Sequence, residues 1–333
     1  MKFGILLTSI YDARVDARQQ VREHEDLVRT AEALGFSLMV AGQHFLGSEL
    51  RYFQPIPWLT HMGQVASTME CATGIILLSM VNPVEVAESM ATLDVLTGGR
   101  AIFGAGLGYS PHEFDAFGVE SGTRVARFEE GVRIARAMWT EPEVTVEGRF
   151  TTVRGARPSV RPVREGGIPI WVGGQAEGAV RRAARLGDAW YTPPFPSHSE
   201  LATLRRLFLD TREEAGMPPE HAFPVRREVM FGADRQAAAE AAVERYRARY
   251  ETYRAWGLSG ANTPIDGGTL RTDIDEHFLL GAPEDVAEQL TRLQEDLGMT
   301  HFVYKPHWPG LSHRDAMAQL ELFGTRVIPA VAR

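Results

Sequence analysis

Apolar residues in this chain alternate between two spacings. Short, nearly continuous apolar runs occupy residues 2–8, 36–41, 73–80, 101–105, 169–172, 188–192, 225–231 and 300–305. Runs of that length without polar alternation predict strands buried on both faces, as in a parallel sheet. Between them, apolar positions recur every three or four residues over 17–34, 58–69, 83–97, 124–139, 175–186, 200–214, 235–256, 283–297 and 312–328, the period of helices packed on one side. The clearest unit lies in the middle of the first half. Asn82 is suited to the N-cap, Pro83 to the first helical position, and Glu85 has the capping-box spacing. Val84, Ala87, Met90, Ala91 and Val95 supply the expected inner face, and Gly98-Gly99 end the helix. In 124–139 the expected inner face is Phe128, Val132, Ala135 and Met138 or Trp139. Strand, helix and strand joined by short connections make a parallel βαβ unit.

Two stretches break the rhythm. Residues 141–165 are rich in Val, Thr, Pro and Gly without a helical period, which predicts a hairpin excursion. Residues 258–280 are irregular, with turns at Gly260, Gly267 and Gly268, and form either a lid or a surface loop. Eight strands, nearly all followed by helices, with no repeat and no flexible linker, predict one (β/α)8 TIM barrel spanning 1–333 with two excursions. In that architecture chemistry sits at the C-terminal strand ends. Those ends fall at residues 8–9, 42–45, 74–79, 106–109, 173–175 and 191–192. The connection from 42 to 57 is long for its class, a common property of functional loops.

Composition narrows the function classes. A formal net charge of -8 over 333 residues argues against a nucleic-acid groove. No apolar run approaches the roughly 18 residues of a membrane span, and the chain enters a strand without a leader pattern, so a cytoplasmic location is expected. Cys71 is the only cysteine, which excludes an intrachain disulfide and a cysteine metal cluster.

Candidate chemistry concentrates at the strand ends. Gly104, Gly106 and Gly108 alternate at one of them, but Tyr109 breaks the dinucleotide fingerprint and no Walker lysine follows. Ligand contact and tight packing both account for the three glycines. His44 opens the long loop, with either a structural or a proton-transfer role. Gly173-Gly174-Gln175 before a helix is either a phosphate seat at a positive helix end or a simple turn. No metal-binding H-E-x-x-H and no G-x-S-x-G nucleophile motif occurs. Lys305 ends the last strand, where a Schiff-base role competes with a structural or surface one. Phe45, Tyr52, Phe53, Tyr109 and Trp308 either wall a pocket or belong to the core.

Together these residues resemble the bacterial luciferase-like family of flavin-dependent oxidoreductases. The resemblance rests on NPVEVAESMATLDVLTGGRAIFGAGLGYSPHEFDAFGV (82–119), RFEEGVRIARAMWTE, VEGRF, PIWVGGQAEGAVRRAARLGDAWY and GAPEDVAEQL. It implies a (β/α)8 barrel with an insertion and a flavin ring lying across the strand ends. By position, Gly74-Ile75 match the family's frequent non-proline cis peptide. Gly106, Gly108 and Tyr109 would line the ring or its phosphate side, and Gly173, Gly174, Gln175 and Ala176 the phosphate loop. His44 matches the family's histidine-bearing loop, whereas Gln43 stands in place of the catalytic first histidine of luciferases. Leu107 stands where luciferases carry a phosphate-binding arginine. The resemblance implies an FMN-dependent monooxygenase, with His44 and Gln43 as catalytic candidates. Reduced FMN from a separate flavin reductase would react with oxygen to oxidise a small organic substrate, in a homodimer. A deazaflavin-dependent dehydrogenase transferring hydride, left open by Gln43-His44, and a non-catalytic flavin-binding protein are the alternatives.

Overall fold

Seven of the eight apolar runs supply staves of one parallel barrel sheet, and the third stave lies at the start of the run 73–80 and just before it. The computed structural model describes residues 1–7, 11–47, 50–219, 222–255, 274–307 and 311–331. The barrel strands are β1 (Lys2–Leu6), β2 (Leu38–Ala41), β3 (Glu70–Thr73), β4 (Ala101–Gly106), β5 (Ile170–Gly173), β6 (Ala189–Tyr191), β7 (Pro224–Arg226) and β8 (His301–Tyr304). Each pairs in parallel with its sequence neighbours from β1 to β6, and β8 lies between β7 and β1. A bridge between Thr192 and Val225 joins β6 to β7 and closes the ring. Alternation along the strands separates two apolar sets. Leu6, Leu38, Val40, Ala72, Ile102, Trp171, Tyr191 and Val303 cluster in the interior. Phe3, Ile5, Met39, Phe103, Trp190 and Phe302 belong to a second cluster shared with the helices. Burial on both faces is why these strands read as unbroken apolar runs.

The surrounding helices are α1 (Ala17–Ala33), α2 (Pro55–Val65), α3 (Pro83–Thr97), α4 (Pro111–Ala116), α5 (Arg124–Thr140), α6 (Glu177–Leu186), α7 (His198–Glu214), α8 (Arg235–Ala255), α9 (Pro283–Leu297) and α10 (His313–Leu322). Among the described residues, none is long and apolar enough to cross a membrane. The α3 signals act as expected at both ends. Asn82 accepts from the Val84 N–H at 2.9 Å, and Gly98 closes the helix with φ 67°. Its inner face is rotated from the expected one: Val86, Ala87, Met90, Ala91, Leu93 and Asp94 are buried, while Val95 is 46% exposed. A polar residue occupies the stripe because it is needed there. Asp94 accepts from Ala101 N at 3.1 Å and from Val163 N at 2.8 Å, tying the helix to β4 and to the return of the first excursion.

Three segments depart from the predicted elements. The run 73–80 is not one strand: β3 ends at Thr73, Gly74-Ile75 is a cis peptide, and Ile76–Leu77 then pairs with Ala105–Gly106 of β4. The Thr73 hydroxyl bridges to β4, donating to Gly104 O and accepting from Gly104 N, both at 2.8 Å. The run 225–231 splits as well. After β7 the chain leaves the barrel, and Glu228–Phe231 pairs in parallel with Phe278–Gly281 in a separate two-stranded sheet. The second expected excursion therefore ends in a buried strand, too short an apolar run to stand out; residues 258–273 lie outside the described residues, as do residues 8–9 and Trp308. The first excursion is a hairpin, Val144–Glu147 against Thr152–Ala156. The buried Glu130 carboxylate of α5 holds its turn, accepting from Arg149 N and Thr151 N at 2.7 Å and Phe150 N at 3.1 Å.

Candidate functional site

The loop after β2 carries the first candidates, and its own hydrogen bonds position it. Gln43 donates its N–H to Ile75 O at 3.1 Å, and its side-chain oxygen accepts from Leu77 N at 2.9 Å. Its amide nitrogen donates to Gln54 Oε1 at 2.9 Å, and Gln54 in turn donates to His44 O at 3.2 Å. The Gln43 backbone N–H and side-chain oxygen thus pin the loop to the cis-peptide segment after β3, while its amide nitrogen ties it to Gln54. Farther along, Leu50–Arg51 pairs with Tyr11–Asp12. The Arg51 guanidinium donates to Val15 O at 2.6 Å and to Gln20 Oε1 at 2.9 Å, anchoring the loop's far end beside α1.

His44 is thereby held against the start of α4. Its Nδ1 lies 3.2 Å from Glu113 Oε1, and the same oxygen accepts the Phe45 N–H at 2.7 Å. The Glu113 side chain is 3% exposed and that of His44 15%. An ionised carboxylate only accepts, so with Glu113 ionised and His44 neutral the ring proton sits on Nδ1 and Nε2 is an acceptor. The Tyr109 hydroxyl lies 3.5 Å from Nε2. The Tyr52 and Tyr109 rings meet the imidazole edge-on, at centroid distances of 5.0 and 5.7 Å. The other expected wall residues pack elsewhere: Phe45 lies against Phe117 at 4.5 Å and Phe53 stacks on Trp58 at 4.4 Å.

The glycines form a seat for Ile75. A Cβ on Gly106 would lie 2.2 Å from Ile75 Cδ1, and one on Gly173 2.9 Å from Ile75 Cγ2. The half-buried Ile75 therefore lies over the ends of β4 and β5 as an apolar shelf. Gly108, with φ 76°, sits where a Cβ would be 2.4 Å from Met80 Cε, and turns the chain so that Tyr109 reaches the His44 loop. Beyond β5, Gly173, Gly174, Gln175 and Ala176 lead into α6. Trp190 Nε1 donates to Gly174 O at 2.8 Å, and among the described residues Gln175 Oε1 is buried without a partner. The first N–H groups of α6 have no partners within the helix, as at any helix start.

Across the barrel the interior turns polar. Tyr191 of β6 is buried, which pushes its phenol up to about 12. A Cβ on Gly74 would lie 3.2 Å from its ring. Arg226 donates to the buried Glu228 at 2.7 Å. Lys305, just past β8, is 1% exposed and so is no surface lysine.

Sequence reasoning brought together His44, Gln43, Tyr109 and the glycines but missed Glu113. At the third position of a short helix it looks like an ordinary N-terminal acid. Its side chain makes no cap and instead crosses to a loop 69 positions away in the chain. Only the parallel order of β2, β3 and β4 could have placed it there.

The sequence profile described as luciferase-like monooxygenase matches residues 1–301. The chain belongs to the luciferase-like monooxygenase family. It is an oxidoreductase of that family. An F420-dependent glucose-6-phosphate dehydrogenase from Rhodococcus erythropolis is 26% identical, with 92% of this chain and 93% of that protein covered. The crystal structure of the monooxygenase RslO1 from Streptomyces bottropensis has a TM-score of 0.86 at 22% identity, covering 99% of both chains. An F420-dependent secondary alcohol dehydrogenase in complex with an F420-acetone adduct has a TM-score of 0.79 at 20% identity, covering 99% of this chain and 98% of that one. At these identities the two structures establish the barrel fold.

Proposed function

We propose that this enzyme transfers hydride between a deazaflavin coenzyme of the F420 type and the carbinol or carbonyl carbon of a small organic substrate. The observation that carries the reading is the His44–Glu113 pair, a buried carboxylate hydrogen-bonded to Nδ1 of the imidazole. Interconverting an alcohol and a carbonyl moves one hydride from carbon and one proton from oxygen. An imidazole backed by a buried carboxylate suits that proton. The coenzyme, when bound, supplies the two-electron hydride acceptor. The relative from Rhodococcus erythropolis, similar along nearly the whole chain, supports the same choice.

The residues present fit such a group. Ile75 offers an apolar shelf for a flat ring, with Gly106 and Gly173 beneath it. Gly173, Gly174, Gln175 and Ala176, with the α6 N-terminus, suit an anionic tail. The buried, unpartnered end of the Gln175 amide offers a hydrogen bond there, and its oxygen and nitrogen are interchangeable in assignment. Gly108 and Tyr109 border the ring side. His44 ends the oxidative direction holding the proton released from the hydroxyl and supplies it in the reductive one, while Glu113 holds its tautomer and stabilises the imidazolium. Gln43 is a positioning residue, its amide committed to Leu77 and Gln54.

The test is anaerobic mixing of the purified protein with oxidised F420 and a panel of primary and secondary alcohols, following loss of the coenzyme's visible absorbance. Turnover without oxygen is expected. Substrate oxidation only with reduced FMN and oxygen would return the function to the FMN monooxygenase implied by the luciferase resemblance. Coenzyme retention without turnover in either assay would favour a non-catalytic flavin-binding protein.

A further inference from the structure

We infer that Tyr109 is the residue that exchanges the proton with the substrate, and that His44 acts one step behind it. The inference rests on the hydride-transfer reading above and extends it to a residue with no assigned part in proton transfer. Both nitrogens of His44 already face protein groups. Nδ1 meets Glu113 at 3.2 Å, and the Tyr109 hydroxyl stands 3.5 Å from Nε2. With the ring proton on Nδ1, the Nε2 lone pair accepts from the Tyr109 hydroxyl. The imidazole side chain is 15% exposed and is flanked by the Tyr52 and Tyr109 rings. In the relay a substrate hydroxyl meets the phenol rather than a ring nitrogen, because both imidazole nitrogens already face protein groups. Gly108, with φ 76°, turns the chain between the end of β4 and Tyr109. A 3.5 Å separation is long for a finished hydrogen bond, as is common at catalytic contacts before substrate binds.

The substrate O–H proton passes to the Tyr109 oxygen as the Tyr109 proton passes to His44 Nε2. The C–H electron pair leaves as hydride to the oxidised deazaflavin, and the carbinol becomes a carbonyl. The resulting imidazolium is held by the Glu113 carboxylate and later returns its proton to solvent. The phenol is never required to hold a lasting negative charge.

The test is Tyr109→Phe, which keeps the ring and removes only the hydroxyl. Loss of a positioned proton-transfer group is worth about 10²–10⁴-fold in rate, so kcat for alcohol oxidation should fall by about that factor while coenzyme Kd stays within about threefold. A second readout needs neither coenzyme nor substrate: the ¹⁵N resonances of His44, assigned by their loss in His44→Gln. In the unsubstituted protein Nε2 should show the shift of a hydrogen-bonded acceptor, and Tyr109→Phe should move it away from that value while the protonated Nδ1 signal stays. A Tyr109→Phe protein with unchanged kcat, or an Nε2 resonance indifferent to the substitution, overturns the relay and leaves hydride transfer standing with His44 as the direct base. Absence of deazaflavin turnover in the unsubstituted protein overturns the proposed reaction and the relay with it.

Discussion

Replacing Glu113 by Gln separates the two tasks assigned to that carboxylate. Oε1 accepts the Phe45 N–H at 2.7 Å and faces His44 Nδ1 at 3.2 Å, and the side chain is almost fully buried. The isosteric amide keeps an oxygen for Phe45, so the structural loss is the difference between a charged and a neutral acceptor, about 1–2 kcal/mol. That is a fraction of a typical folding free energy, and the variant stays folded. The catalytic loss is larger. A full positive charge on His44 at this distance from a carboxylate gains about 5 kcal/mol at an effective dielectric constant near 20. If about half the charge has developed in the transition state, removing the carboxylate raises the barrier by about 2.5 kcal/mol, or roughly 10²-fold in kcat. Steady-state F420 reduction with a saturating alcohol measures the rate, and a thermal melt monitors the fold. A kcat within threefold of the unsubstituted enzyme would refute the assigned role of the pair. A melt lowered in proportion to the activity loss would do the same, by attributing that loss to unfolding.

Three further outcomes follow from the same geometry. Burial lowers His24 and His301 to about 4 and His307 to about 3. The unfolded histidines take up protons near pH 6.5, so between there and about pH 4 the unfolded state binds more protons and stability falls as pH falls. Each contributes up to about 1.4 kcal/mol per pH unit in that window. Urea midpoints at pH 7 and pH 5 test this, and equal midpoints would contradict it. Gly104→Ala would place a Cβ 1.8 Å from the Thr73 carbonyl oxygen, which no rotamer relieves. Overpacking of this kind costs about 1–3 kcal/mol or more, and a melting temperature unchanged by the substitution would argue against the tight β3–β4 contact. Ile75→Ala removes part of the shelf and should weaken coenzyme binding about 5–10-fold, from about 1 kcal/mol of lost apolar contact. Calorimetric titration measures it, and unchanged affinity would place the ring elsewhere.

Much of the fold was legible because burial on both faces writes itself into the chain as unbroken apolar runs. The α3 caps were legible for a similar reason: Asn82, Pro83 and Gly98 act through local backbone geometry. What escaped depended on partners distant in sequence. Asp94 holds an inner helix position because Ala101 and Val163 need an acceptor there, and counting apolar residues cannot anticipate that. The run 73–80 concealed a bend at Gly74-Ile75, and 225–231 concealed a change of sheet after Arg226. The site divided along the same line. His44 and the glycines declared themselves at strand ends, whereas Glu113 looked like a helix-start acid until β2 and β4 were brought together. Gln43 was legible as a substitution for a histidine, but its commitment to Leu77 and Gln54 was not.

The most direct test of hydride transfer follows the hydrogen itself. An alcohol deuterated at its carbinol carbon, mixed anaerobically with the enzyme and oxidised F420, should deliver that deuterium to the coenzyme ring, detectable by mass spectrometry, with a primary isotope effect on the bleaching rate. Oxidised product with no deuterium in the coenzyme, or product formed only when oxygen and reduced FMN are supplied, would contradict the account.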